Sequence, residues 1–182
     1  MDHLKHQHQA PAAKSIKAYW PLILVLTFIV FGTFHLGWVR GDYNFWLTEF
    51  STSFSVNSLM LDFMGLFFMA FAFFKLLDVK AFADAYLSYD IPTKIWPTWG
   101  YIYPFVELAF GILLLHRIEL LWTNIAIAIV LGLSIIGVIQ SVLQKRQIKC
   151  ACLGTGFNLP MTQVTIIEDG LMILMALVMI MN

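Results

Sequence analysis

Charge is what this chain has least of. Asp, Glu, Lys and Arg together make up 12% of its 182 residues, against 60% hydrophobic residues. A water-soluble domain carries ~25% charged residues, so this chain lacks the means to cover a surface facing water. The formal net charge is +0, and no basic stripe interleaved with aromatics occurs, which excludes a nucleic-acid partner. A glycine-rich phosphate loop is also missing. Cysteine is almost absent: Cys150 and Cys152 are the two in the chain. That excludes a disulfide framework and a four-ligand structural zinc site built on cysteine.

The sequence is rich in long apolar runs. A helix needs ~20 apolar residues to cross ~30 Å of hydrocarbon, and five stretches qualify: 19–39, 58–77, 97–116, 120–143 and 160–181. The expected fold is an all-α integral membrane protein with five transmembrane helices. The fifth stretch contains Glu168 and Asp169. A helix starting after them, at Gly170, covers only ~20 Å at 1.5 Å per residue, so both acids are expected within the membrane region. Tyr19, Trp20, Trp38, Trp96, Trp99, Tyr101 and Trp122 fall at the span ends, as an aromatic belt at headgroup level requires.

The other segments divide the chain. Residues 1–18 form a polar tail with His3, His6 and His8, and 19–39 reads as an uncleaved additional span, because no small-residue cleavage site follows it. Between the second and third spans, Val79, Phe82, Tyr86 and Tyr89 recur at helical spacing, with Lys80 and Asp84 off the stripe. This predicts an amphipathic helix lying in the membrane interface and ended by Pro92. Lys5, Lys14, Lys17, Lys75, Lys80, Lys94, Lys145, Arg146 and Lys149 fall on one side of the five-span arrangement, and Arg40 and Arg117 on the other. The positive-inside rule then places the N-terminus and the 145–159 loop in the cytoplasm and the C-terminus outside, in a bacterial inner membrane.

Chemistry is expected first in that loop, KRQIKCACLGTGFNL. Cys150 and Cys152 hold two thiols within reach of one disulfide or one soft metal ion. The bridge closes a small, strained and readily reduced ring. Lys145, Arg146 and Lys149 stabilise thiolates, and Gly154 and Gly156 let the chain bend. Glu107 falls mid-way along the third span, with Gly111 one turn on. A charge there costs ~2.5–3.5 kcal/mol on insertion scales and calls for a partner inside the bundle. Lys75 is the obvious cation, so an intramembrane cluster of Lys75, Glu107 and one of Glu168 and Asp169 is expected, as a helix-fixing pair or a proton relay. Asp62, His35 and His116 read as satisfied interfacial residues. Met172, Met175 and Met179, and Ser134, Gly137 and Ser141, read as packing faces.

The second span ending FAFFKLLD, the third span GYIYPFVELAFGILLL and the fourth running into IKCACLG resemble the DoxX/MauE-like redox-associated membrane proteins. The resemblance covers about residues 57–181. It implies a DoxX-like four-helix core with the 19–39 span as an addition, and a role in thiol–disulfide balance or in the maturation of a partner protein. It also implies functional positions at Lys75, Glu107, Cys150 and Cys152. Related proteins are linked to methylamine dehydrogenase biogenesis or to heavy-metal-binding modules. The expected partners are the lipid bilayer and a thiol/disulfide or metal-binding protein. No cofactor is required; a quinone or a soft metal ion such as Cu(I) or Hg(II) is compatible with the sequence. In the metal-handling alternative, Cys150 and Cys152 are the ligands. A third reading is a non-catalytic subunit of a membrane complex. The cytoplasmic placement implies a dithiol that rests reduced.

Overall fold

A computed structural model of the chain describes residues 20–41, 56–143 and 161–181. Every regular element among them is helical: α1 (Trp20–Arg40), α2 (Val56–Leu77), α3 (Val79–Leu87), α4 (Ile91–Ile95), α5 (Trp99–Leu115), α6 (Leu120–Leu143) and α7 (Met161–Met181).

Among the described residues, three helices are long and apolar enough to cross a membrane: α1, α2 and the Leu120–Gln140 part of α6, with mean hydropathies of 2.2, 1.9 and 2.2. The 17 residues of the largely apolar α5 rise only about 26 Å, short of ~30 Å of hydrocarbon. The 21 residues of α7 run unbroken through Glu168 and Asp169. The chain is thus an all-helical, multi-pass membrane protein. Large side chains such as Phe28, Phe31, Phe105 and Ile129 face outward, which lipid tolerates and water does not. Trp20, Trp38, Trp96 and Trp122 are exposed near helix ends, as the belt requires. Trp99 instead sets its ring edge-on to Tyr103, with centroids 6.3 Å apart.

Two helix pairs carry most of the packing, α2 with α5, which run antiparallel, and α6 with α7. The α2–α5 crossing depends on two glycines. A Cβ on Gly65 would meet Leu115 Cγ at 2.7 Å, and one on Gly111 would meet the Gly65 carbonyl oxygen at 2.9 Å. Small residues are the usual means of close helix approach in lipid, where apolar side chains gain nothing by leaving a surrounding that is itself apolar. The pairs meet along α5–α6 and, more sparsely, α2–α7. α1 lies on α2 through Leu22, Ile29, Thr33 and Gly37.

The segment after α2 departs from the expected surface helix. The Asp78 side chain caps α3 by accepting from the Ala81 N–H at 3.0 Å. The Phe82, Tyr86 and Tyr89 stripe is buried, with Lys80 and Asp84 exposed. The apolar face therefore turns onto α5 rather than into lipid. Pro92 does not end this helix either. The chain turns at 88–90, and Pro92 stands in the first turn of α4, where its missing N–H costs nothing. The α3–α4 elbow then seats against α6: a Cβ on Gly137 would lie 2.5 Å from the Tyr89 carbonyl oxygen. Ser134, one turn away, accepts from Tyr86 Oη at 3.1 Å. The packing face read in α6 is thus a socket for the elbow.

Candidate functional site

The α2–α5 pairing brings Lys75 and Glu107 together. Lys75 stands in the last turn of α2 and Glu107 mid-way along α5, and the antiparallel crossing at Gly65 and Gly111 sets them level. Lys75 Nζ lies 2.5 Å from both Glu107 carboxylate oxygens. The two side chains are only 7% and 5% exposed, so the pair is shielded from water. A buried pair of this kind gains little net stability over apolar residues, but loses much if one partner is removed.

Aromatic rings wall the pair in. Lys75 Nζ sits 4.9 Å from the Tyr103 ring centroid and 5.4 Å from that of Phe82, within cation–π range. Phe82, Tyr86 and Tyr103 form one stack, with centroids 5.0 Å apart between Phe82 and Tyr86 and 4.7 Å between Tyr86 and Tyr103. Tyr103 lies within electrostatic reach of Glu107. Tyr103 precedes Glu107 by four residues on one helix, so both share a face. That spacing was the signal in the sequence that could have identified Tyr103. Phe82 and Tyr86 carried a visible pattern, but their stripe read as lipid-facing.

On α7, Asp169 lies within electrostatic reach of Tyr86 and Tyr103. Glu168 is buried. The neighbouring acids diverge by ~100° around the helix. Among the described residues, no three His, Cys, Asp or Glu side chains are grouped to hold a metal ion. Met172 is fully buried, and Met175 and Met179 pack against the core, as ordinary apolar contacts. Cys150, Cys152, their neighbouring lysines and glycines, and the histidine tail lie outside the described residues. His35 and His116 are exposed. His35 stacks on Phe31, and His116 Nδ1 lies 2.9 Å from the Ile112 carbonyl oxygen.

A second buried acid sits at the opposite end of the bundle. Asp62 is fully buried and pairs with Arg40 from the last turn of α1. Arg40 also donates to the Leu115 carbonyl oxygen at 2.9 Å. One guanidinium thereby ties α1 to both α2 and α5. Asp62 is thus satisfied, as expected, but by a partner that no local pattern shows, since Arg40 is 22 residues away in the chain.

Residues 54–182 match a family model described as methylamine utilisation protein MauE, which covers well over half of the chain. No curated protein and no solved structure matches it.

Proposed function

From the premise that this chain belongs to the MauE family of methylamine utilisation proteins, we propose that it is a five-span membrane protein that exchanges thiols and disulfides with a partner protein during maturation. Cys150 and Cys152 carry the exchange. One thiolate attacks the partner's disulfide, forming a mixed disulfide and releasing one partner sulfur as thiolate. The second cysteine then displaces the other partner sulfur, closing Cys150–Cys152. Two electrons and two protons pass to the partner, which leaves as a dithiol; the reverse sequence oxidises it. The Lys75–Glu107 pair fixes the bundle and supplies or takes up protons.

The observation that carries this reading is the buried Lys75–Glu107 pair itself, at the bundle end where α3 and α4 seat on α6. Lysine and glutamate can both change protonation, and a desolvated site bounded by tyrosines restricts proton movement to a few groups. The connection from α6 to α7, residues 144–160, contains both cysteines and follows α6, whose Gly137 meets the elbow. In the full arrangement α5 and α7 also cross, the N-terminus and this connection are cytoplasmic, and the dithiol rests reduced.

The test is a Cys152→Ser variant in intact cells, with trapping by a membrane-permeant alkylating reagent. A mixed disulfide through Cys150 is expected, and labelling by an impermeant reagent from outside is not. Thiols that stay reduced with no trapped partner sink the exchange. Stoichiometric soft-metal binding lost in Cys150→Ser would replace it with metal handling. External labelling would reverse the orientation.

A further inference from the structure

Of the three long apolar helices, α1 is the least covered. It packs on α2 alone among the described elements. Of its apolar stretch 22% is buried, against 50% for α2 and 39% for α6. Its inner face is occupied: Leu22, Ile29, Thr33 and Gly37 lie on α2. Arg40, its one charged residue, turns to Asp62. The helix also precedes residues 54–182, the part that matches the family.

The outer face has a pattern of its own. Leu24, Phe28, Phe31, His35 and Trp38 follow one another at alternating steps of four and three residues, and all are exposed. Phe28 and Phe31, at 72% and 69%, are the most exposed large apolar residues of the helix. Such a repeat is the seam along which two helices pack side by side. An open groove of about 440 Å³ runs beside it, lined by Trp20, Ile23, Leu24, Thr27, Phe28 and Phe31. A side chain from a facing helix fits a hole of this kind. Lipid chains cover the apolar members equally well, but they cannot serve His35. Its ring lies parallel to that of Phe31, with centroids 6.4 Å apart and planes 6° from parallel. Phe31 stands one turn nearer the middle of the span, so the imidazole is held towards hydrocarbon instead of reaching up to the headgroups. A polar group without a hydrogen bond is costly there, and polar side chains in spans mark contacts between helices.

We propose that two copies of the chain associate through this face of α1, in parallel, about a two-fold axis along the membrane normal. Both copies enter the bilayer in the same orientation. α1 therefore meets α1 only in parallel, and each seam residue faces its own counterpart at the same depth. Such a face has to be complementary to itself. Leu24, Phe28, Phe31 and Trp38 meet as apolar pairs. A neutral imidazole carries one donor and one acceptor, so one His35 donates to the other. Arg40, the charge that would repel its copy, is engaged with Asp62 on the opposite side of the helix. One polar residue in an apolar seam fixes the register and the number of helices. Association through α1 does not depend on what the cysteines do.

The test uses the full chain, labelled at its N-terminus with a donor or an acceptor fluorophore, in phosphatidylcholine vesicles. Energy transfer above that of random encounters, falling as lipid is added, is expected. His35→Leu should weaken association by about tenfold. His35→Asn, which keeps a donor and an acceptor, should restore it. Random transfer at every dilution means that lipid alone covers the face, and overturns the proposal. Association unchanged or strengthened in His35→Leu overturns the pairing at His35. Geometry is read in a Cys150→Ser/Cys152→Ser chain carrying one new cysteine, oxidised in native membranes. Phe28→Cys and Phe31→Cys should each cross-link into a product of twice the chain's mass. Phe105→Cys, at an equally outward position on α5, should not. Equal cross-linking at Phe105, or none from either α1 position, overturns the interface. A product of another mass places a different protein's helix on the face, and overturns the second copy.

Discussion

The two ends of the bundle each bury an acid against a base, and they differ in the base. At one end Arg40, 30% exposed, reaches Asp62 and the Leu115 carbonyl oxygen together. At the other, Lys75 is enclosed with Glu107 between Tyr103 and Phe82. Arginine stays charged under all physiological conditions, and its planar fork bridges two acceptors at once. It suits a tie between helices. Lysine is a compact point charge on a flexible stem, and here it is enclosed rather than spread over two acceptors. The difference teaches that a buried ion pair is not in itself a site. The base, its exposure and the polar groups around it decide.

The largest effect expected from this contrast is at Lys75. Lys75→Met leaves Glu107 buried and unpaired, and should cost about 3–5 kcal/mol in reversible unfolding. The double variant Lys75→Met/Glu107→Leu should recover most of that stability while losing partner exchange. A double variant that exchanges normally would reduce the pair to a helix fastener.

Next is Gly137→Ala, which forces a Cβ against the Tyr89 carbonyl at the Lys75 end. Overpacking of this kind costs about 1–3 kcal/mol, and the α3–α4 elbow should become more open to proteolysis than α5. Equal protection of the two would show that the elbow does not seat on α6 independently.

At the opposite end, Arg40→Ala strands a buried carboxylate, but one that had a partly water-screened partner. A loss of about 1–2 kcal/mol is expected, with α1 released while thiol exchange continues. Loss of exchange in this variant would erase the distinction between the two ends.

The smallest effect concerns pH. The folded chain holds the Asp90 proton to a higher pH than the unfolded chain does, because burial raises that carboxyl. Its contribution to stability is therefore full below the ordinary carboxylate range and declines as pH rises through the raised value. Thermal unfolding across pH should show that decline in the wild type and a flatter profile in Asp90→Asn. Parallel profiles would place the pH response elsewhere.

The sequence alone determined the solvent and the class of fold. With 12% charge and repeated apolar runs, lipid was the surrounding that fitted, and internally hydrogen-bonded helices follow from that. It also marked Lys75 and Glu107 as residues needing partners, because an unpaired charge at that depth is costly. Which way the Phe82 and Tyr86 stripe faces was decided only in three dimensions. An apolar stripe is equally satisfied by lipid or by a neighbouring helix, and here it packs on α5, where a Cβ on Gly100 would meet Ala83 of α3 at 3.3 Å. The pairing of Arg40 with Asp62 and the hydrogen bond from Tyr86 to Ser134 were tertiary decisions as well. Their partners lie on different helices, and only the close crossings at glycine bring such distant side chains within hydrogen-bond reach.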